Sequence, residues 1–89
     1  MSSNDADAIV GQVAVMADYE ALREVANQLA GLLVARQRTA DTHQHAQAWR
    51  QEHRALRARL EDIQPGTPAV AEALGEWSGR LQALREGDA

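Results

Sequence analysis

The stretch Trp49-Arg-Gln-Glu-His-Arg-Ala-Leu-Arg-Ala-Arg-Leu-Glu-Asp-Ile-Gln-Pro-Gly-Thr-Pro-Ala-Val-Ala-Glu-Ala-Leu-Gly-Glu-Trp-Ser-Gly-Arg-Leu-Gln-Ala-Leu84 decides the fold. Before its central turn, Gln64-Pro65-Gly66-Thr67-Pro68, apolar or half-apolar residues fall at Trp49, His53, Leu56, Leu60 and Ile63. After the turn they fall at Val70, Leu74, Trp77, Leu81 and Leu84. Both series step by four, three, four and three, the spacing of a heptad seam and so of a coiled coil. Folding back at the turn pairs Ile63 with Val70, Leu60 with Leu74, Leu56 with Trp77, His53 with Leu81 and Trp49 with Leu84. The pattern predicts an antiparallel helical hairpin.

The turn is written by backbone chemistry. A residue before proline is pushed out of the α region, so the second helix ends by Ile63. Gly66 supplies turn freedom, and Thr67 as N-cap with Pro68 at the first helical position starts the next helix. That helix is expected over 68–86, with 87–89 frayed and Arg85 placed to suit the C-terminal dipole.

Upstream, no proline interrupts residues 6–38, and Gly11 and Gly31 weaken a helix there without ending it. Asn4 or Asp5 can cap it, leaving 1–4 disordered. Its main stripe is Ile9, Val13, Met16, Tyr19, Leu22, Ala26, Leu29 and Leu33, flanked by Val10, Val25 and Leu32. This arc is wider than one neighbouring helix requires. At 1.5 Å per residue, about thirty-three residues reach roughly 50 Å against roughly 28 Å for a hairpin arm. Part of the first helix must then overhang the hairpin unless it bends.

Residues 36–47 contain no large apolar side chain. Thr39, Asp41 and Thr42 are possible caps, and Asp41 with Gln44 resembles a capping box. A turn at 39–42 and a helix over 42–63 are expected; the rival is one continuous rod to Ile63. The fold class is thus all-α: a long N-terminal helix on an antiparallel hairpin, a three-helix bundle-like domain over 5–86, expected to be dimeric because an 89-residue core is marginal alone.

Composition narrows the chemistry. There is no cysteine, which excludes disulfides and thiolate metal sites. Eighteen alanines and the use of arginine without lysine favour helix and fit a GC-rich bacterial coding bias. The apolar run 8–17 is short, broken by Gly11 and Gln12 and flanked by aspartates, so neither a Sec signal nor a membrane span is expected and the cytoplasm is the default.

The net charge of −4 divides into an acidic first third, a basic middle and an acidic end. Arg50, Arg54 and Arg57 form a basic stripe on the second helix. The hairpin register places Arg57 near Glu76 and Arg59 near Glu72, while Glu76 can bridge Arg80 four residues on. A stripe of this kind suits phosphates, but the acidic total argues against nucleic acid.

No catalytic constellation emerges. Ser2, Ser3 and Ser78 lack triad partners, and Gly75 to Gly79 is not a phosphate loop. Asp41 and His45 are the one helical i, i+4 ligand pair, too few for zinc. His43, His45 and His53 cluster toward the open end of the hairpin, where they could sense pH. No cofactor or metal is expected. Helix three carries a small-residue face, Ala71, Gly75, Ser78 and Gly79, whose glycines are explained by close approach of another helix; Ala14, Ala17 and Ala21 are the candidate ridge. The expected interaction surface is therefore Val10, Val25, Leu32, Ala71, Gly75, Ser78 and Gly79.

Three resemblances bear on function. Trp77-Ser78-Gly79 resembles the Trp-x-Gly of the helical-hairpin proteins of type VII secretion, although there the tripeptide occupies the central turn. Leu22-Arg23, Leu29, Leu32-Leu33 and Arg36 resemble the first helix of the all-helical chorismate mutases, with the arginines about a turn closer together. That resemblance implies a pocket in which Arg23, Arg36 and Arg54 would hold a dicarboxylate. The small hairpin co-chaperones of type III secretion are similar in shape and composition. None of these resemblances defines a family. The expectation drawn from the residues is a non-enzymatic helical interaction module (adaptor, chaperone or assembly protein) binding itself or another helical protein. A chorismate-mutase-like enzyme and a secretion-system hairpin are the alternatives.

Overall fold

A computed structural model describes the backbone of residues 3–87 and the side chains of residues 13–87. Three helices account for almost all of it: α1 (Ser3–Arg38), α2 (His43–Asp62) and α3 (Pro68–Arg85). No strand occurs among the described residues. Both α2 and α3 pack on α1.

α1 runs without a break through Gly11 and Gly31. The continuous rod is not realised, because the chain turns after Arg38. The reason is local. Thr39 Oγ1 donates back to the Ala35 carbonyl at 3.1 Å, and Thr42 caps α2 by accepting from the His45 amide at 3.1 Å. Thr42, rather than Asp41 with Gln44, is the cap, because its extended backbone (φ −131°, ψ 156°) aims the hydroxyl at the first turn.

The second turn matches the proline grammar. Ile63 is extended, Gly66 has φ +81°, and α3 begins at Pro68 behind an extended Thr67. Thr67 caps through its backbone geometry alone; its hydroxyl donates to the Gln64 carbonyl at 2.7 Å.

The core is a strip of α1 faced by both arms. Leu22, Ala26, Leu29, Ala30 and Leu33 are buried together with Leu56 and Ile63 of the second arm and Val70, Ala73, Trp77 and Leu84 of the third. Burying a leucine as fully as Leu22 or Leu33 contributes about 1.5–3 kcal/mol. The inner rungs of the hairpin seam are thus buried, while Leu60 and Leu74 are half-buried. At the open end Trp49 and His53 are only half-buried. One feature departs from the expected seam. No Cα of α2 comes within 8 Å of a Cα of α3, so the arms meet through long side chains while each lies close on α1.

The hairpin is shorter than α1. A Cβ placed on Gly66 would meet Val15 Cγ1 at 3.5 Å, so the turn sits level with Val15. The part of α1 before it, residues 3–14, extends past the turn by about 18 Å. The expected disordered start at 1–4 and frayed end at 87–89 lie wholly or partly outside the described residues.

Two stability measurements follow. Leu33→Ala should lower unfolding free energy by about 2–5 kcal/mol, because a fully buried leucine leaves a cavity. Gly75→Ala should raise it by up to about 1 kcal/mol, because the glycine is helical and a Cβ there meets nothing within 4 Å. Urea midpoints at unchanged slope read both.

Candidate functional site: the arm clasp and the outer faces

Charged side chains close the space between α2 and α3 in a reciprocal arrangement. Arg59 of α2 lies over the Trp77 ring of α3, 5.5 Å from its centroid, and pairs with Glu76. Arg80 of α3 lies over the Trp49 ring of α2 at 5.6 Å and pairs with Glu52, Nε and Nη2 each donating at 2.8 Å. Each arm therefore seats an arginine on the other arm's tryptophan and glutamate. The Glu52 hydrogen bond raises the Arg80 pKa, against a smaller opposing effect of burial.

This register corrects the one expected from the sequence. Arg59, not Arg57, meets Glu76, and Arg80 takes Glu52 of the other arm rather than Glu76 of its own. The physical reason is helical rotation. Arg59 follows Leu56 by three residues and shares its side of α2, whereas Arg57 is turned about 100° away. Arg57 is exposed, as are Arg50 and Arg54. Arg50 Nε and Nη2 donate to the Gln37 side-chain carbonyl at 3.1 Å in the amide orientation that satisfies both groups. The basic stripe is thus intact on the surface, on the flank of α2 that adjoins α1.

Two clefts flank this clasp. The larger, about 420 Å³, lies at the open end and is lined by Arg36, Asp41, His45, Trp49, Glu52 and Arg80 among others. Its arginines are already engaged: Arg36 donates to the Leu84 carbonyl at 2.8 Å, and Arg80 holds Glu52. Arg23 and Arg54 are exposed and do not line it, so the three arginines of a dicarboxylate pocket do not converge. Asp41 and His45 share the cleft, but no group of three His, Cys, Asp or Glu suited to a metal ion occurs among the described residues. The smaller cleft, about 230 Å³, runs beneath the clasp over Leu29, Ala55 and Leu56.

The expected interaction residues separate into two groups. Val25 and Leu32 are half-buried against the core, while Ala71, Gly75, Ser78 and Gly79 are all exposed. Val10 lies outside the residues whose side chains are described. The small face of α3 does not meet the Ala14, Ala17, Ala21 ridge. Those alanines are exposed too, because α3 turns its large residues, Val70, Trp77 and Leu84, inward. Val25 and Ser78 do border one groove between α1 and α3, of about 510 Å³. Two further residues stand out that sequence periodicity assigned to the inner stripe: Val13 is 64% exposed and Met16 50%. Three-residue steps back from Leu22 each turn the side chain about 60°, which carries Met16 and Val13 off the buried side.

No protein-family model matches the chain, and comparisons with curated proteins and with solved structures give no match.

The clasp is testable. Arg80→Met should cost about 1 kcal/mol or less, since the pair is a third exposed and screened by solvent. It should also red-shift Trp49 emission by removing the cover on that ring. Arg50→Met, which breaks no ion pair, should stay within about 0.5 kcal/mol of the parent.

Proposed function

We propose that this chain is a non-enzymatic helical protein–protein interaction module, an adaptor, chaperone or assembly protein that recognises helices and works as a homodimer in the cytoplasm. One observation carries the reading: α1 holds Val13 and Met16 in solvent on the side turned away from its buried strip, where large apolar side chains gain free energy only by docking. The small exposed face of α3 supports it, since Gly75 and Gly79 leave open space into which a second helix could approach closely. The spent arginines of the open-end cleft weigh against the chorismate-mutase-like alternative. No described helix is long and apolar enough to cross a membrane.

The test is affinity capture from the source cell with the full chain and two variants. Val13→Asp combined with Met16→Asp should cut recovery of bound protein at least about tenfold, the loss expected when an apolar anchor becomes charged, with helicity by circular dichroism unchanged. Gly75→Leu should do the same if the α3 face takes part. Recovery untouched by either change would contradict the proposal.

A further inference from the structure

We infer that the partner for the outer α1–α2 face is a second copy of this chain, held in an isologous pairing by the acidic row of α1 and the arginine row of α2; this rests on the interaction-module reading and specifies one partner for it. The two rows match in spacing. Glu20 and Glu24 are four residues apart on α1, as Arg50 and Arg54 are on α2, which places both pairs about 6 Å apart along their helices. Val13, Met16, Glu20 and Glu24 share an arc of about 80° on α1, pointing away from the buried Leu22 and Leu33. Arg23 is turned about 100° from Glu24.

Neither row forms an ion pair among the described residues. The ion pairs among the described residues are Arg59–Glu76 and Arg80–Glu52. Among the described residues, Glu24 accepts from the neutral Gln28 amide at 2.9 Å, and Arg50 meets the Gln37 carbonyl. Gln37, about 100° round α1 from Glu20, reaches the α2 stripe through Arg50, so α2 and its arginine row flank the side of α1 that carries Glu20.

A two-fold axis perpendicular to the helices joins them. α2 is antiparallel to α1 within a copy, so this operation lays the partner's α2 parallel to α1. Pairing residue i of α1 with residue i + 30 of the partner's α2 then sets Glu20 by Arg50 and Glu24 by Arg54. The same register carries Met16 over Ala46 and Val13 over His43, covering the two large apolar side chains that stand exposed among the described residues. By symmetry each contact occurs twice. The net charge of −4 per copy opposes association at long range. At about 0.1 M salt that field is screened beyond roughly 10 Å, so the matched rows decide the close encounter.

Charge exchange tests this directly. Glu20→Arg with Glu24→Arg makes one variant, and Arg50→Glu with Arg54→Glu makes the other; all four sites are exposed, so both should keep parental helicity by circular dichroism. In sedimentation velocity at low salt the parent should be dimeric and each variant alone monomeric, since each then opposes like charges. Mixing the variants should restore a one-to-one dimer. Raising salt from about 0.05 to 0.5 M should weaken the parental dimer by about tenfold. A parental chain that stays monomeric, or a mixture that stays monomeric while the parent dimerises, overturns the inference. A monomeric parent would also overturn the homodimer proposed above, and the capture experiment with Val13 and Met16 would still decide whether the chain binds a different protein.

Discussion

Both arms of the hairpin depend on one strip of α1. Leu22, Ala26, Leu29 and Leu33 are almost completely buried, and the inward residues of α2 and α3 close on them from either side. The arms do not need to pack backbone against backbone, because α1 supplies the shared apolar surface. What remains between them is a gap bridged by arginine, tryptophan and glutamate. The clasp is a consequence of that spacing. A long guanidinium side chain spans a distance that leucine cannot, and its stem and plane cover a tryptophan ring that would otherwise face water. Partly exposed pairs contribute little stability each, so the clasp sets the angle of the arms more than it holds the fold together.

Much of this order could be read from the residues, and the limits are physical. The Pro65 to Pro68 turn was legible because proline fixes its own backbone and restricts its neighbour's. The all-helical class and the burial of Leu56, Ile63, Val70 and Trp77 followed from a seven-residue repeat. The turn after Arg38 carried a weaker signal, a threonine cap that competes with continued helix by a single hydrogen bond. Side-chain direction was the harder quantity. One position along a helix rotates a side chain by about 100°, so the ion pairs assigned to Arg57 and to Glu76 with Arg80 shifted to Arg59 and to Glu52. The exposure of Val13 and Met16 has the same origin. Val13, Met16, Tyr19 and Leu22 step by three residues, each step turns the side chain about 60° off the stripe, and Val13 ends on the side of α1 opposite the buried Leu22.

The same geometry divides the surface by role. The tryptophans are engaged within the fold, Trp77 in the core and Trp49 under Arg80. Arg36 and Arg80 are likewise occupied at the open end. The features left free are the outward face of α1, the Arg50, Arg54, Arg57 row beside it, and the small-residue face of α3. In the function proposed above, these are the surfaces offered to another helix. They lack the enclosed, convergent polar groups with which a pocket orients a small substrate.

The central claim is that the outward face of α1 is an interface. Hydrogen–deuterium exchange along the intact chain, measured at two protein concentrations about a hundredfold apart, addresses it most directly because association protects only what it covers. The account predicts slower exchange at the higher concentration in residues 13–24 of α1 and 43–57 of α2, with the Gln64–Thr67 turn unchanged. Equal exchange of those two segments at both concentrations would contradict it.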